Sequence, residues 1–330
     1  MILRYKVLSQ HPRVFQSMTG LRLPEFDQLL TEVLPLHTQA YSQHLQQQRQ
    51  HRRQPPRVRA VGGGPAFTLE SRDQILLAVV WLRQYPTHEV LAYLFGVSDS
   101  SVSRLVERVL PLLEQNGRDT MRMPDPGKKH RRTLDALLQE TPHLAVLIDS
   151  FEQRVQRPRL GSGSGSSSQK PESKQKDTFY SGKKKQHTLK SQVAVDEFTG
   201  QIVDVSQSVP GPTADWTLLG ASGLLGRLPD GVGALGDLAY LGLAALHPQG
   251  LGATPRRKPR ARQRPPQDAA YNTAFARRRI TVEHSIGRLR RYQSLTHMDR
   301  HHRQKHSARV CAVAGLVNRQ IEHRQPALFN

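Results

Sequence analysis

The sequence predicts an all-α region near the N-terminus, followed by an α/β domain that contains a mixed sheet of five strands and flanking helices. Between residues 68 and 113, apolar residues recur at the three- and four-residue spacing of amphipathic helices. From residue 143 onward, short apolar runs of strand length alternate with helical stretches. A chain of 330 residues is long enough to hold both regions around a sizeable core.

The charge balance of the chain points to a polyanionic partner. The formal net charge is +21, and the Lys and Arg residues are spread over most of the sequence. Nucleic acid is the commonest partner of such a basic globular chain, and double-stranded DNA is expected here. A membrane surface fits less well, because no basic segment alternates with a clean apolar face.

Cysteine usage and the N-terminal sequence indicate the compartment. The single cysteine, Cys311, rules out an intramolecular disulfide and argues against a cysteine-based zinc site. No apolar run reaches the length of a signal peptide or of a membrane span. A cytoplasmic, nucleoid-associated protein is therefore expected.

The first predicted unit, residues 1–65, is a helical segment followed by a polar linker. Leucines and valines at helical spacing follow Pro24, and a run rich in Gln, His and Arg begins at Gln39. That run has no apolar periodicity after Leu45, which indicates either a solvated helix end or a flexible linker, and disorder is expected for residues 46–56.

The second predicted unit, residues 66–120, holds three helices in a helix-turn-helix arrangement. The first ends before Pro86, a short second helix spans residues 88–95, and a third follows the Gly96 turn and runs to about Leu113. A plain three-helix bundle would need similar turns, so that alternative stays open. The first turn of the third helix would present four polar side chains to the DNA major groove: Ser100, Ser101, Ser103 and Arg104.

The third and fourth predicted units are a basic connector at 121–142 and the α/β domain at 143–325. Residues 144–148 are continuously apolar, as in a strand buried on both faces, and Asp149 follows them. A charge at the end of a buried strand is costly unless it is paired or binds metal, and such strand ends are where α/β sheets place their sites. The Gly/Ser tract at 161–168 is expected to be a flexible insertion in a surface loop.

The remaining predicted elements bring two more acids into the same domain. Asp237 comes just past a short apolar strand, and Glu283 lies on a long arginine-rich helix. In order, the elements are strands at 189–195 and 201–206 that form a hairpin, a helix from 213 to about 225, strands at 232–235 and near 253–255, the long helix that carries residues 271–283, and a last helix at about 309–322.

Three carboxylates on separate elements of one α/β unit can converge at one edge of a sheet. Asp149, Asp237 and Glu283 are hard oxygen ligands, which suit Mg²⁺ or, as a substitute, Mn²⁺. A pair of such ions can stabilise both the attacking and the leaving oxygen at phosphorus. Cationic side chains would hold DNA phosphates nearby; the candidates are Lys183, Lys184, Lys185, His187, Arg279 and Arg290.

Four motifs, taken in order, resemble one family. They are Leu-Ile-Asp-Ser-Phe-Glu at 147–152, Tyr-Ser-Gly-Lys-Lys-Lys-Gln-His-Thr-Leu-Lys at 180–190, Gly-Asp-Leu-Ala-Tyr-Leu-Gly at 236–242, and Arg-Ile-Thr-Val-Glu-His-Ser-Ile-Gly-Arg-Leu-Arg at 279–290. Together they resemble the DDE transposases of bacterial insertion sequences, in the insertion-sequence-five branch related to PIF/Harbinger nucleases.

The resemblance implies an RNase H-like catalytic domain in which Asp149, Asp237 and Glu283 bind two divalent ions. It implies hydrolysis at the transposon ends, followed by attack of the freed 3′-hydroxyl on target DNA, and a homodimer on the DNA because two ends must meet. Within the Tyr-Arg-Glu-Lys signature of related transposases, Arg279 and Glu283 match, whereas Arg290 stands for lysine and Ala276 for tyrosine. Ser150 and Phe151 also replace the usual Gly-Thr.

Several alternatives remain at this level. Glu152 is the rival of Asp149 and is expected on the same side of the strand, and Glu283 could be an ordinary ion-paired residue of its helix. A histidine-based zinc site is the alternative use of His297, His301, His302 and His306. For function, the alternatives are a DNA-binding protein or repressor derived from a transposase, and a metal-dependent endonuclease without strand transfer.

Overall fold

The computed structural model describes residues 3–51, 68–127, 134, 136–157 and 178–328. The Gly/Ser tract predicted at 161–168 and most of the predicted linker therefore lie outside the described residues. Within them, no helix is both long and apolar enough to cross a membrane.

Six helices are described in the N-terminal part. They are α1 Tyr5–Leu8, α2 Pro12–Thr19, α3 Leu23–His51, α4 Ser71–Gln84, α5 His88–Phe95 and α6 Asp99–Asp119. The prediction of disorder from residue 46 is wrong as far as residue 51, because α3 continues to that point. Gln and Arg are good helix formers, so a helix can extend there without an apolar face.

The predicted helix-turn-helix is present as α5, a short turn and α6. Gly96 caps α5 with a left-handed backbone, and Ser98 caps α6 by accepting a hydrogen bond from the Ser101 N–H at 3.2 Å. Helix α6 runs well past Leu113, where the sequence predicts its end. Its extra turns are buried against the last helix of the chain, so tertiary packing extends the helix.

The sheet is mixed and has seven strands among the described residues. They are β1 Ala145–Arg154, β2 Tyr180–Ser181, β3 Gln186–Asp196, β4 Ile202–Val205, β5 Val209–Pro210, β6 Gly233–Leu235 and β7 Gly252–Ala253. The order is β2-β3-β1-β6-β7, and β4 and β5 also pair with β3. The five predicted strands are all present, and β2 and β5 are two-residue additions.

Strand direction determines where Asp149 lies in the sheet. Strand β3 runs antiparallel to β1 and to β4, whereas β6 runs parallel to β1 and β7 runs parallel to β6. The prediction that Asp149 lies at the end of the first strand is wrong, because β1 stays paired with β3 as far as Arg154. Asp149 therefore lies inside β1, opposite Val193 of β3.

The remaining helices cover the two faces of the sheet. They are α7 Asp215–Ser222, α8 Leu243–Leu246, α9 Pro266–Leu289 and α10 His306–Arg324. Leu147 and Phe151 of β1 belong to one core with α9 and α10, and Val146 and Ile148 belong to a second core with α7. The predicted mixed α/β domain with flanking helices, preceded by a helical region, is confirmed.

Helices α6 and α10 cross at two glycines that let their backbones touch. A β-carbon on Gly315 would lie 2.3 Å from the Gly117 α-carbon, and a β-carbon on Gly117 would lie 2.3 Å from the Cys311 carbonyl oxygen. No side chain fits at such distances, so both positions need glycine for the close approach.

Gly315→Ala is expected to lower the free energy of unfolding by about 1–3 kcal/mol, because overpacking forces the two backbones apart. Chemical denaturation followed by circular dichroism measures the change. Gly220→Ala is the matched control, since Gly220 is also inside a helix but a β-carbon added there would meet nothing within 4 Å. A loss at Gly315 no larger than that of the control would contradict the close contact.

Candidate active site

Asp149 and Asp237 meet at one edge of the sheet because β1 and β6 are parallel neighbours. Leu147 of β1 pairs with Leu235 of β6, and each aspartate lies two residues beyond its leucine. Asp237 also caps the short 3₁₀ turn that follows β6, accepting a hydrogen bond from the Ala239 N–H at 2.9 Å. The two acids predicted from the sequence are thus brought side by side.

The surroundings of Asp149 favour a bound cation. Burial is the largest influence and raises the pKa of Asp149, and the negative charges of Asp237 and Asp215 raise this pKa further. The Ser150 N–H, which donates to Asp149 at 2.7 Å, and the positive charge of Arg279 oppose these effects without cancelling them. A divalent ion shared by the two aspartates would relieve their repulsion.

Arg279 supplies the positive charge beside Asp149. Its Nη2 lies 3.6 Å from the Asp149 Oδ2, and its side chain is only 11% exposed. Its Nε is buried and has no hydrogen-bond partner among the described residues. The arginine thus faces the first aspartate, with a donor unused, and its predicted contact with DNA phosphate stays a prediction.

Glu283 is not gathered into this pair. It lies one turn after Arg279 on α9 and is exposed. The adjoining turns of α9 are fixed against the hairpin turn at Gly200, whose carbonyl accepts a hydrogen bond from the Ser285 Oγ at 2.7 Å. Among the described residues, no three His, Cys, Asp or Glu side chains form a group that could hold a metal ion. The two aspartates suit a hard cation, and the third ligand stays a prediction.

A buried ion pair on the opposite face of β1 was missed by the sequence reasoning. The Ser150 Oγ donates to the Asp215 Oδ1 at 2.7 Å, and the Lys190 Nζ lies 3.1 Å from the same oxygen. The Lys190 Nζ also donates to the Thr213 carbonyl at 2.6 Å. These contacts tie β1, β3 and the start of α7 together next to Asp149. The signal available was an aspartate in the first turn of a predicted helix, which reads as an ordinary helix start.

The expectation that Glu152 shares the side of Asp149 is wrong. Glu152 is three positions after Asp149 along β1, and side chains alternate between the two faces of a strand. Glu152 instead accepts a hydrogen bond from the Thr188 Oγ1 at 2.7 Å. It is therefore not an alternative ligand beside Asp237.

The predicted basic loop follows β2 at the surface. Lys183, Lys184 and Lys185 are exposed, and Lys185 adopts a left-handed backbone with φ of 52°. His187 is half-buried against the Tyr180 ring, with 5.6 Å between the ring centroids. The loop can offer its three ammonium groups to a polyanion.

The polar residues at the start of α6 divide into two kinds. Ser100 and Arg104 are exposed, and the Arg104 Nε donates to the Ser100 carbonyl at 3.1 Å. Ser101 and Ser103 are half-buried, and the Ser101 Oγ lies 2.8 Å from that of the capping Ser98.

Arg290 lies at the C-terminal cap of α9, the helix that carries Arg279 and Glu283, and it is exposed. Its contact with DNA stays a prediction.

His306, one of the four histidines of the alternative zinc site, has protein partners for both of its ring nitrogens. His306 is buried and hydrogen-bonds Gln153 at 2.8 Å and Ser208 at 2.7 Å. Burial lowers the pKa of His306 to about 3 and that of His301 to about 4, so both rings are neutral near pH 7. Neither belongs to a metal-holding group within the described part of the chain.

Comparison with known proteins finds similarity to transposases. The chain is similar to the probable transposase for insertion sequence element IS702 of Microchaete diplosiphon, with 26% identity over 79% of this chain and 83% of that protein. A chain of the Mos1 transposase paired-end complex with left transposon end aligns over 56% of each chain, so just over half its length is spanned. Its 14% identity and TM-score of 0.16 are too low to support an argument.

Two family models match the chain itself. The helix-turn-helix of DDE superfamily endonuclease matches residues 67–119, and the DDE superfamily endonuclease model matches residues 148–318, just over half of the chain. The second match includes Asp149, Asp237 and Glu283. The insertion-sequence-five branch stays a prediction. The chain belongs to the DDE superfamily endonucleases.

Proposed function

We propose that this protein is a transposase that cleaves DNA at the ends of its own insertion sequence and joins the 3′-hydroxyl ends to target DNA. The observation that carries the proposal is the position of Asp149 beside Asp237, each two residues beyond the last residue that pairs β1 with β6, next to the largely buried Arg279. The membership in the DDE endonucleases and the similarity to a probable transposase support it.

In this proposal, the aspartates hold Mg²⁺ or Mn²⁺, and Glu283 is the third oxygen ligand. The metal would act as a Lewis acid on the phosphodiester and lower the pKa of a bound water or hydroxyl. Asp149 and Asp237 fix the position of that charge, because each is anchored by a backbone N–H within 3 Å. The nucleophiles are water and a DNA hydroxyl, so no covalent bond to the protein forms.

Two separate sets of surface residues would hold the DNA. The start of α6, with its exposed Ser100 and Arg104, is proposed to read the terminal repeats in the major groove. Lys183–Lys185 and Arg290 are exposed and are proposed to contact phosphates, which position the duplex without reading its sequence. We propose a homodimer on DNA, because two transposon ends must be brought together.

Duplex DNA that carries the terminal inverted repeats flanking the gene tests the proposal. The end-labelled duplex is incubated with the protein and Mg²⁺ beside an unlabelled target plasmid. We expect cleavage at the repeat ends and labelled strands joined to the plasmid. Cleavage without joined products would instead identify a nuclease, and binding without cleavage would identify a DNA-binding protein.

A further inference from the structure

Residues 256–264, called the basic strap here, are the most cationic surface segment that the proposed function does not use. Six of these nine residues are Lys or Arg, and no acid occurs between Asp237 and Asp268. Every residue of the strap is exposed. Such a concentration of like charge is unfavourable in the free protein and is relieved by a polyanion.

One end of the strap is fixed to helix α9. The Arg256 N–H donates to the Asn272 Oδ1 at 2.7 Å, and the Asn272 Nδ2 donates back to the Arg256 carbonyl at 3.0 Å. The Arg256 guanidinium lies 3.0 Å from Asp268 and 4.4 Å from the centre of the Tyr271 ring. This arginine is therefore an anchor and not a free charge.

The other five cations of the strap have no such partner. Within the described residues, no ion pair joins a carboxylate to any of them; they are Arg257, Lys258, Arg260, Arg262 and Arg264. The chain turns at Ala261, whose φ is 56°. An anchored segment with unpaired cations loses less conformational freedom on binding than a loose tail would.

The strap leaves the sheet beside the candidate active site. Ala253 of β7 pairs with Leu235 of β6, so the chain enters the strap from the strand next to the one that ends before Asp237. From the strap the chain passes directly into α9, which carries Arg279. The strap thus joins β7, which is the neighbour of the strand before Asp237, to the helix that carries Arg279.

We infer that the basic strap binds the phosphates of the duplex substrate independently of sequence, next to the Asp149–Asp237 edge. The inference rests on the proposed function for the identity of the substrate. The strap has no aromatic residue on which bases could stack, which disfavours single-stranded nucleic acid. It has no large apolar residue to enter a bilayer, which disfavours an anionic membrane.

The salt dependence of DNA binding tests this inference. The triple variant Arg260→Gln, Arg262→Gln and Arg264→Gln keeps the anchor at Arg256. Its affinity for a random-sequence 30-base-pair duplex is measured by fluorescence anisotropy, without divalent metal, from 50 to 300 mM KCl. We expect the slope of log K against log salt to fall by about 2–3, since each lost phosphate contact removes about 0.9.

A control of equal charge separates local contact from net charge. Lys6→Gln, Arg13→Gln and Arg324→Gln change exposed cations in α1, α2 and the end of α10, far along the chain from the strap. We expect the control slope to stay close to that of the unchanged protein. Affinities for single-stranded RNA and for phosphatidylserine vesicles are measured in the same way. Equal slopes for the two triple variants would overturn the inference, and so would a loss of affinity that occurs only with the RNA or only with the vesicles.

The outcome is independent of cleavage. If the unchanged protein cleaves its repeat DNA but the strap variant keeps the full slope, the strap inference fails alone. If no cleavage occurs yet the slope falls, the proposed reaction fails and the duplex contact stands. The ratio of affinities for repeat and random DNA is expected to be the same in the strap variant as in the unchanged protein, because phosphate contacts carry no sequence information.

Discussion

Asp149→Asn is expected to reduce metal-dependent cleavage of the repeat DNA by about a thousandfold or more. The substitution keeps the size of the side chain but removes the charge that faces Asp237 across the β1–β6 register. A catalytic metal contributes several kcal/mol of transition-state stabilisation, and each 1.36 kcal/mol is worth a factor of ten in rate. Single-turnover cleavage of end-labelled DNA measures the effect.

Glu152→Gln is the matched control for Asp149→Asn. It is the same chemical change on the same strand, but Glu152 points to the other face and accepts its hydrogen bond from Thr188. We expect near-normal cleavage by this variant and normal DNA binding by both. If the Asp149→Asn protein still cleaves at the normal rate, or if Glu152→Gln loses more cleavage activity, Asp149 is not part of the active site.

The positions of Asp149 and Asp237 could be predicted because they depend on local pattern. A continuously apolar run marks a buried strand, and an acid directly after the run predicts a site there, although β1 continues past Asp149. Two such runs in one α/β unit place their acids together if the strands are parallel neighbours, as β1 and β6 are. The sequence also predicts Glu283 as the third acid, and the resemblance of the motifs adds the order of strand cleavage and joining.

The sequence could not predict the contacts that depend on which face of a helix packs against the sheet. The helical period of α9 placed Ile280 with the apolar residues, yet its side chain is 49% exposed. Arg278, two residues earlier, is buried and pairs with Glu197, its Nε 2.6 Å from the carboxylate Oε1. Spacing gives the period of a helix but not its rotation against the sheet. Here that rotation buries Arg278 and exposes Ile280.

Packing against residues that are far away in sequence also shifts the ends of helices and strands from their predicted positions. Strand β1 continues beyond Asp149 because β3 pairs with it along its whole length. Helix α6 continues because Gly117 meets Gly315 of α10, a contact across about two hundred residues. The Lys190–Asp215 pair joins a strand to a helix start in the same way. Local propensity contains no information about any of these partners.

The helical region is joined to α10 by a buried cluster of charged and polar groups. The Arg309 Nη1 lies 2.6 Å from the Asp299 Oδ1, its Nη2 donates to Asp299 Oδ2, and both side chains are almost completely buried. The hydroxyl of Tyr85, which caps α4, lies 3.2 Å from both Asp299 and Arg309. The His301 N–H donates to Asp299 at 2.8 Å.

Arg309→Met is expected to lower the free energy of unfolding by roughly 3–5 kcal/mol at pH 7, because it leaves the Asp299 carboxylate buried without its cation. Urea denaturation measures the loss. Arg72→Met is the control, since the Arg72–Glu70 pair is solvent-exposed at 3.7 Å and such pairs contribute about 0–1 kcal/mol. Equal losses in the two variants would show that Asp299 does not need Arg309.

We expect acidification to change the free energy of unfolding in opposite directions in the unchanged protein and in Arg309→Met. Burial favours the neutral acid, but the hydrogen bonds and charge of Arg309 outweigh it and hold the pKa of Asp299 below its ordinary value. In the unchanged protein this stabilisation is therefore complete above the unfolded pKa, about 3.9, and is lost as the pH falls through the lower folded pKa. In Arg309→Met, burial is the largest remaining influence on the pKa of Asp299 and is opposed only by the His301 N–H and the charge of His306. We therefore expect the folded pKa to rise, so that acidification through it protonates Asp299 and recovers stability. Urea titrations between pH 3 and 7 distinguish these opposite slopes, and a parallel loss in both proteins would contradict the role given to Arg309.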